Sequence, residues 1–304
     1  MEKFELHILG CGSALPTTRH FSTSQVLNVR EKLFMIDCGE GTQIQLRKSR
    51  LKFSRLNHVF ISHLHGDHCF GLFGLISTFG LLGRTADFYI HAPVGTERLF
   101  APMLEFFCNH LPYNVFFREF ETNAPKMIHE DRSLTVTTIP LKHRLPCCGF
   151  LFEEKQRPNH IIRDMVDFYK VPLYELNRIK NGADYVTPQG VVVPNAKLTY
   201  PAAPARRYAY CSDTMYMKQI VGQIKNVDLL FHEATFLQAD LPRAKETFHT
   251  TAQQAGKIAL EAEVKQLLIG HFSARYDNED TLLKEASAVF PHTILAKEML
   301  CVEI

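Results

Sequence analysis

Val59-Phe-Ile-Ser-His-Leu-His-Gly-Asp-His68 constrains this chain more than any other stretch. Val59-Phe60-Ile61 is a β-branched and aromatic run of the kind that forms a buried strand, and it runs straight into four metal-ligating side chains, His63, His65, Asp67 and His68. A turn leaving a strand end lets His63 and His65 converge on one ion and places Asp67 and His68 for a second. Imidazole with carboxylate suits borderline divalent metals, zinc first. The competing reading is a histidine-rich surface turn. It is the weaker one, because uncompensated His and Asp at the end of a buried strand have little packing use.

The rest of the composition narrows the class. With 304 residues, 46% hydrophobic and 22% charged, the chain can bury a sizeable core as one large domain or two ordinary ones. A net charge of +2 carries no broad basic signal, so any nucleic-acid reading must rest on local features. The eight cysteines form no CxxC pair, and most sit in apolar runs such as Tyr208-Ala-Tyr-Cys211, as small buried hydrophobes do. Met1-Glu-Lys-Phe-Glu-Leu does not read as a signal peptide, and the apolar stretch from Cys69 to Gly83 falls short of the ~20 residues a bilayer needs. A reduced, cytoplasmic protein is expected.

Along the chain, Phe4–Leu9 reads as a first strand, with His7 a strand residue, and the loop from Leu15 to Ser24 holds Arg19 among several hydroxyls. A strand at Lys32–Ile36 delivers Asp37, expected either to orient a metal-bound imidazole or to form a simple Asx-turn. Cys69–Leu82 is apolar almost all round and suits a buried helix. A strand at Asp87–His91 and a helix from about Gly95 to Asn109 follow; His91, His110 and His129 show no partner pattern and read as structural. The alternating strand Leu134–Ile139 leads to His143, which stands where His63 stands, just beyond a strand. From Glu153 to about Tyr200 the prolines Pro158, Pro172, Pro188 and Pro194 break the texture, with a helical piece only near Ile161–Tyr169. Nothing there is spaced like a core-building segment, so it reads as an excursion inserted in the main domain. Three strands of one design then end in ligand-capable residues: Tyr208 to Asp213, Val227 to His232-Glu233, and Gln266 to His271. Helices are predicted over Met217–Ile224 and over Ala252–Ala262, the latter capped by Thr250 or Thr251. Alternating strands and helices build α/β layers whose functional residues line one sheet edge.

His63-Leu-His65-Gly-Asp67-His68 resembles the H-x-H-x-D-H signature of the metallo-β-lactamase superfamily. The resemblance implies an α/β fold, the four-layered αββα sandwich, as a single domain over residues 1–304 with an inserted flexible arm at 153–200. It implies two Zn²⁺ per subunit. His63, His65 and His143 would hold one ion, Asp67, His68 and His271 the other, with Asp213 bridging. The diiron branch of that superfamily carries Glu where His65 stands, which points to zinc hydrolysis by a metal-bound hydroxide. Such a site also accepts manganese or iron.

Asp37-Cys-Gly-Glu-Gly-Thr42, His232-Glu233-Ala-Thr235, His249-Thr-Thr-Ala252 and the Ser13–Ser24 loop with Arg19 are similar, over nearly the whole chain, to the ribonuclease Z family. His20 stands where that family often has Asn. The resemblance implies removal of the 3′ trailer from precursor tRNA, leaving a 3′-hydroxyl, by a cytoplasmic homodimer with no membrane association. The resemblance makes Asp67 the proton acceptor; His249, with Glu233 behind it, is the candidate for protonating the leaving oxygen. Arg19 would meet the tRNA 3′ end, and Arg157, Arg163, Arg178 and Lys180 the tRNA body. A small-molecule hydrolase of the same fold, acting on a phosphodiester or thioester, accounts equally for the seven ligands. It leaves the His232–Thr235 motif, the Arg19 loop and the excursion without a purpose.

Overall fold

The computed structural model describes residues 2–304. In chain order the strands are β1 (Phe4–Gly10), β2 (Ser24–Val29), β3 (Lys32–Cys38), β4 (Leu56–Phe60), β5 (Phe88–Pro93), β6 (Val115–Phe120), β7 (Met127–Glu130), β8 (Leu134–Leu141) and β9 (Cys147–Glu154). Four short strands follow, β10 (His160–Ile161), β11 (Tyr185–Val186), β12 (Val192–Val193) and β13 (Thr199–Tyr200). The last five are β14 (Arg207–Cys211), β15 (Leu229–Glu233), β16 (Gln266–Gly270), β17 (Thr293–Leu295) and β18 (Cys301–Glu303). One seven-stranded sheet runs β18-β1-β2-β3-β4-β5-β6 and the other β17-β16-β15-β14-β9-β8-β7.

β3, β15 and β16 are buried along almost their whole length, which is why they read as near-continuous apolar runs. On β3 and β4, Phe34, Ile36 and Phe60 face the other sheet, where Phe60 meets the rings of Phe150 and Phe152 at 5.7 and 5.5 Å between centroids. Their neighbours Met35, Val59 and Ile61 point the other way, into the core under the helix Gly71–Leu81. The helices Ala252–Glu261 and Asp280–Ser287 pack on the second sheet. Helix, sheet, sheet, helix is the expected four-layer order. The strands β3 to β6 are parallel to one another, as are β14 to β17, so within each set the carboxyl ends fall on one edge.

Two helices depart from expectation. Gly71–Leu81 buries Leu72, Leu75, Ile76 and Phe79 but leaves Leu81 87% exposed, so it is an outer layer and not a buried helix. Met217–Ile224 shrinks to a 3₁₀ turn at Lys218–Ile220, the stretch being short and carrying Gly222. Ala252–Glu261 forms as predicted, with Thr251 as its cap: the Thr251 hydroxyl accepts from Gln254 N at 3.3 Å and Gln254 Oε1 accepts from Thr251 N at 3.1 Å. Close backbone approach fixes the turn after β4. A Cβ on Gly71 would lie 2.0 Å from the Gly39 carbonyl oxygen, and one on Gly39 would lie 2.4 Å from the Asp67 carbonyl oxygen.

Residues Glu154–Ala205 form a compact unit of their own, and Met1–Glu153 with Arg206–Ile304 form the other. The smaller unit corrects the expectation of a segment without a core. Val166, Val171, Ile179, Tyr185, Val193 and Leu198 bury one another, drawn from the helices Arg163–Phe168, Leu176–Lys180 and Asn195–Leu198 and from β11 and β12. Asn195 fastens them, donating from Nδ2 to the carbonyls of Ile179 and Ala183 at 2.7 and 2.8 Å. Six apolar side chains spread over four dozen residues leave no periodicity to read. Among the described residues no helix is long and apolar enough to cross a membrane.

Candidate metal centre and catalytic cleft

The seven residues expected as ligands come together. One ligating atom from each of His63, His65, His143 and Asp213 lies within 4.8 Å of the others, and the same holds for Asp67, His68, Asp213 and His271. Asp213 belongs to both groups, with Oδ2 3.7 Å from His63 Nε2 and Oδ1 3.2 Å from His271 Nε2. The His63, His65 and Asp67 turn follows β4, His143 follows β8, Asp213 follows β14 and His271 follows β16.

Four of the five imidazoles are aimed by a hydrogen bond on the outer nitrogen, and His65 turns its Nδ1 toward His63 and His143. His68 Nδ1 donates to Asp37 Oδ2 at 2.7 Å, and His143 Nδ1 to the Phe248 carbonyl at 3.0 Å. His63 Nδ1 meets Ser62 Oγ at 3.0 Å, and that hydroxyl donates to Asp37 at 2.8 Å. His271 Nδ1 meets Thr235 Oγ1 at 2.9 Å, and that hydroxyl donates to Glu233 at 2.7 Å. All four therefore present Nε2 inward with its lone pair exposed, as metal-ligating histidines do. Asp37 is fully buried and also accepts from Tyr210 Oη at 2.6 Å. It is a tether for His68 and Ser62, not an Asx-turn, and it holds a left-handed φ of 54°; His271 has φ 62°. Such backbone persists only where its surroundings impose it.

The donor set fits divalent cations. His68 Nε2 and Asp213 Oδ1 are buried with no hydrogen-bond partner although they stand 3.4 Å apart. Imidazole nitrogens face each other at 3.0 Å (His63 Nε2 to His65 Nδ1) and 3.2 Å (His143 Nε2 to His65 Nδ1), which shared coordination explains. Burial alone would raise the Asp213 carboxyl, but the adjacent His271 and His68 hold it well below the usual range, in the anionic form a ligand needs.

Beside the ligands lies a cleft of about 610 Å³, lined by His65, Asp67, His143, Asp213, His249 and His271 among others. Glu233 is fully buried; its Oε1 accepts from Thr214 N, Thr250 N and His249 Nδ1, each at 3.0 Å. Burial opposes protonation of His249, but the Glu233 charge and hydrogen bond outweigh it and raise this imidazole to about 9. His232 has its Nδ1 on the Glu233 carbonyl at 2.7 Å and is buried behind the site.

The expected RNA-contacting cations lie outside the cleft, four of them on the smaller unit where they were expected. Arg19 donates to the Tyr276 and Asp277 carbonyls and stands 3.5 Å from Glu279; it does not line the cleft. Arg157, Arg163, Arg178 and Lys180 belong to the Glu154–Ala205 unit, where Arg163 pairs with Asp167 at 2.9 Å and Arg178 with Glu175 at 3.5 Å. The cleft carries instead three arginines that sequence reasoning missed, Arg144, Arg243 and Arg275. The one available signal was adjacency, since Arg144 follows His143.

Comparison with known proteins agrees with this geometry. Residues 187–272 match the family model described as beta-lactamase superfamily domain, and residues 4–157 that described as anti-Pycsar protein Apyc1. The metallo-β-lactamase fold protein YhfI from Bacillus subtilis superposes with a TM-score of 0.70 at 18% identity, covering 100% of both chains, a likeness of fold. The short form of human tRNase Z superposes with a TM-score of 0.69 at 26% identity, covering 98% of both chains. Fold and site thus define a metallo-β-lactamase-type protein.

Within that class, the ribonuclease Z of Bacteroides thetaiotaomicron is 76% identical over 304 residues, 100% of this chain and 96% of the relative. That of Bacteroides fragilis is 74% identical over 100% of both. The chain belongs to the ribonuclease Z family.

Proposed function

We propose that this chain is a metal-dependent endoribonuclease that removes the 3′ trailer from precursor tRNA, leaving a 3′-hydroxyl on the tRNA and a 5′-phosphate on the trailer. The observation that carries this is a cleft in which two ligand groups sharing Asp213 stand beside a Glu233-backed His249, in a chain of this family.

His63, His65, His143 and Asp213 would hold one ion and Asp67, His68, His271 and Asp213 the other, both zinc by their donor set. Such a pair supplies acidified water and neutralises charge building on the phosphate. The chain's own groups do the rest. Asp67 lines the cleft and takes the proton of the attacking water as its oxygen bonds to phosphorus. His249 gives its proton to the departing 3′ oxygen as that bond breaks, and Glu233 holds the ring in place and favours its charged form. Arg144, Arg243 and Arg275 receive flanking phosphates.

The Glu154–Ala205 unit serves as an arm for the tRNA body. Arg163, Arg178 and Lys180 are exposed on it, and so are Phe168, Tyr174 and Tyr200, flat surfaces for sugar or base. The enzyme works as a homodimer in the cytoplasm. Supporting this, Leu81 and Phe107 line one groove and are 87% and 68% exposed, a surface fit for a second copy, and all eight cysteines are free.

Incubating purified protein with one precursor tRNA and with a cyclic nucleotide tests the proposal. Mapped cleavage at the trailer junction is expected. Cyclic nucleotide turnover with intact precursor would overturn it in favour of a small-molecule hydrolase.

A further inference from the structure

The catalytic edge is not the one place where histidines converge. His58 on β4, His91 on β5 and His129 on β7 each offer a ligating atom within 4.8 Å of the others. The first two belong to one sheet and the third to the sheet facing it. His58 Nδ1 stands 3.1 Å from His91 Nε2, and the His58 and His129 rings are 4.4 Å apart. Aromatic walls fix them: Tyr89 stacks on His58 at 5.1 Å and Phe60 on His91 at 4.5 Å. His91 is 4% exposed.

Two arrangements compete for such a trio. In a hydrogen-bonded stack, one N–H···N contact joins His58 to His91, yet His91 Nδ1 and His129 Nε2 remain buried without a partner. In a metal site, lone pairs converge on a cation, which would give His129 Nε2 something to bond. Spacing admits both, since 3.1 Å also suits an N–H···N hydrogen bond; the unpartnered His129 Nε2 favours the second. Nitrogens about 2.0–2.1 Å from a tetrahedral zinc stand roughly 3.3 Å apart. The 3.1 Å contact is in that range and matches the 3.0 and 3.2 Å contacts between imidazoles of the catalytic group. Burial lowers His58 to about 4 and also depresses His91 and His129, so the three are neutral and able to coordinate. The nearest charges partly cancel: Asp131 favours a cation near His58 and His129, and it is paired with Lys32 at 2.6 Å.

We propose that His58, His91 and His129 form a third, structural site for a zinc-class divalent ion, clasping the two sheets together. It lies about 16 Å along the strand direction from His63, at roughly 3.3 Å per residue, and shares no ligand with the catalytic pair. The ion would add a cross-link between two sheets that otherwise meet here through side-chain packing and the Lys32–Asp131 ion pair.

Metal counting on the full-length protein tests this without any activity measurement. Protein from zinc-supplemented growth is desalted and its zinc measured by mass spectrometry, for wild type, His129→Gln and His58→Phe. Circular dichroism identifies which variants are folded. Each folded variant is expected to hold one equivalent of zinc fewer than wild type and to keep precursor cleavage. Asp213→Ala, which breaks both catalytic ligand groups, is expected to retain the one clasp ion. Equal zinc content in wild type and a folded clasp variant would overturn the proposal, as would an Asp213→Ala protein that keeps no zinc. Loss of precursor cleavage in wild type would instead bear on the function and leave the clasp standing.

Discussion

In the sandwich body the charged groups of the site are buried: His63, His68, Asp213, Glu233 and His271 are each 2% exposed or less. In the Glu154–Ala205 unit the pattern inverts. Phe168, Leu173 and Tyr174 are 74%, 78% and 80% exposed, and Arg163 and Arg178 pair only across solvent. The body fixes atoms to within a hydrogen bond, as bond-breaking chemistry requires. The smaller unit has a core just large enough to hold a shape and spends its remaining side chains on surface, as shape recognition requires. Changes in the body should therefore damage every substrate alike, and changes in the arm should damage only large ones.

The strongest way to break that division is Asp213→Ala, which removes the residue common to both ligand groups. It should lower cleavage of precursor tRNA and of a small phosphodiester reporter alike by at least ~10⁴-fold, with metal lost in parallel. A loss confined to tRNA would erase the distinction. His249→Ala should keep its catalytic metals but lower kcat by about 10²–10⁴-fold, the usual range for a general acid. A normal kcat in that variant would return His249 to a purely structural role.

Removing the arm tests the other side. Glu153 pairs with Arg207 on neighbouring antiparallel strands, so a short turn can replace what lies between. The shortened protein should lose about 100-fold in kcat/KM on precursor tRNA, a binding loss of about 2.8 kcal/mol, and keep its rate on the small reporter. Equal loss on both would make the unit part of the fold. Exchanging Arg178 and Lys180 for Glu should give a smaller version of the same result, a several-fold rise in KM with a shallower salt dependence, measured between low and physiological salt.

A pH experiment sharpens the picture of the body itself. In metal-free protein, burial lowers His58 to about 4 from an ordinary 6.5. Between those values the unfolded chain binds a proton there that the folded one refuses, so stability is present above about 6.5 and drains as pH falls toward 4, by about 3 kcal/mol. Urea unfolding across that window should show the decline, and His58→Phe should make it shallower.

The catalytic ligands were legible because each follows a strand whose apolar run stops abruptly at a polar side chain, and parallel strands deliver such ends to one edge. The clasp histidines gave no such signal: His58 and His91 sit inside strands, and His129 comes from the opposite sheet, so only packing brings them together. His129 and His91 were read as structural for that reason. Arg19 gave no local sign of its partners, since its guanidinium is taken up by carbonyls more than 250 residues away. The outer helix Gly71–Leu81 is less buried than its sequence suggests, because Leu81 and its neighbours look alike whether they meet a core or a second molecule.

Gly39 and Gly71 perform no chemistry, yet the spacing of the two ligand groups is drawn on them. Each lets a backbone carbonyl press where a methyl group would stand, and the loop carrying Asp67 and His68 is wedged between. Alanine at either place would push that loop outward as a block, prising the second ligand group away from the first. The tolerance of this enzyme to change should thus be narrowest at two hydrogen atoms that no substrate ever touches.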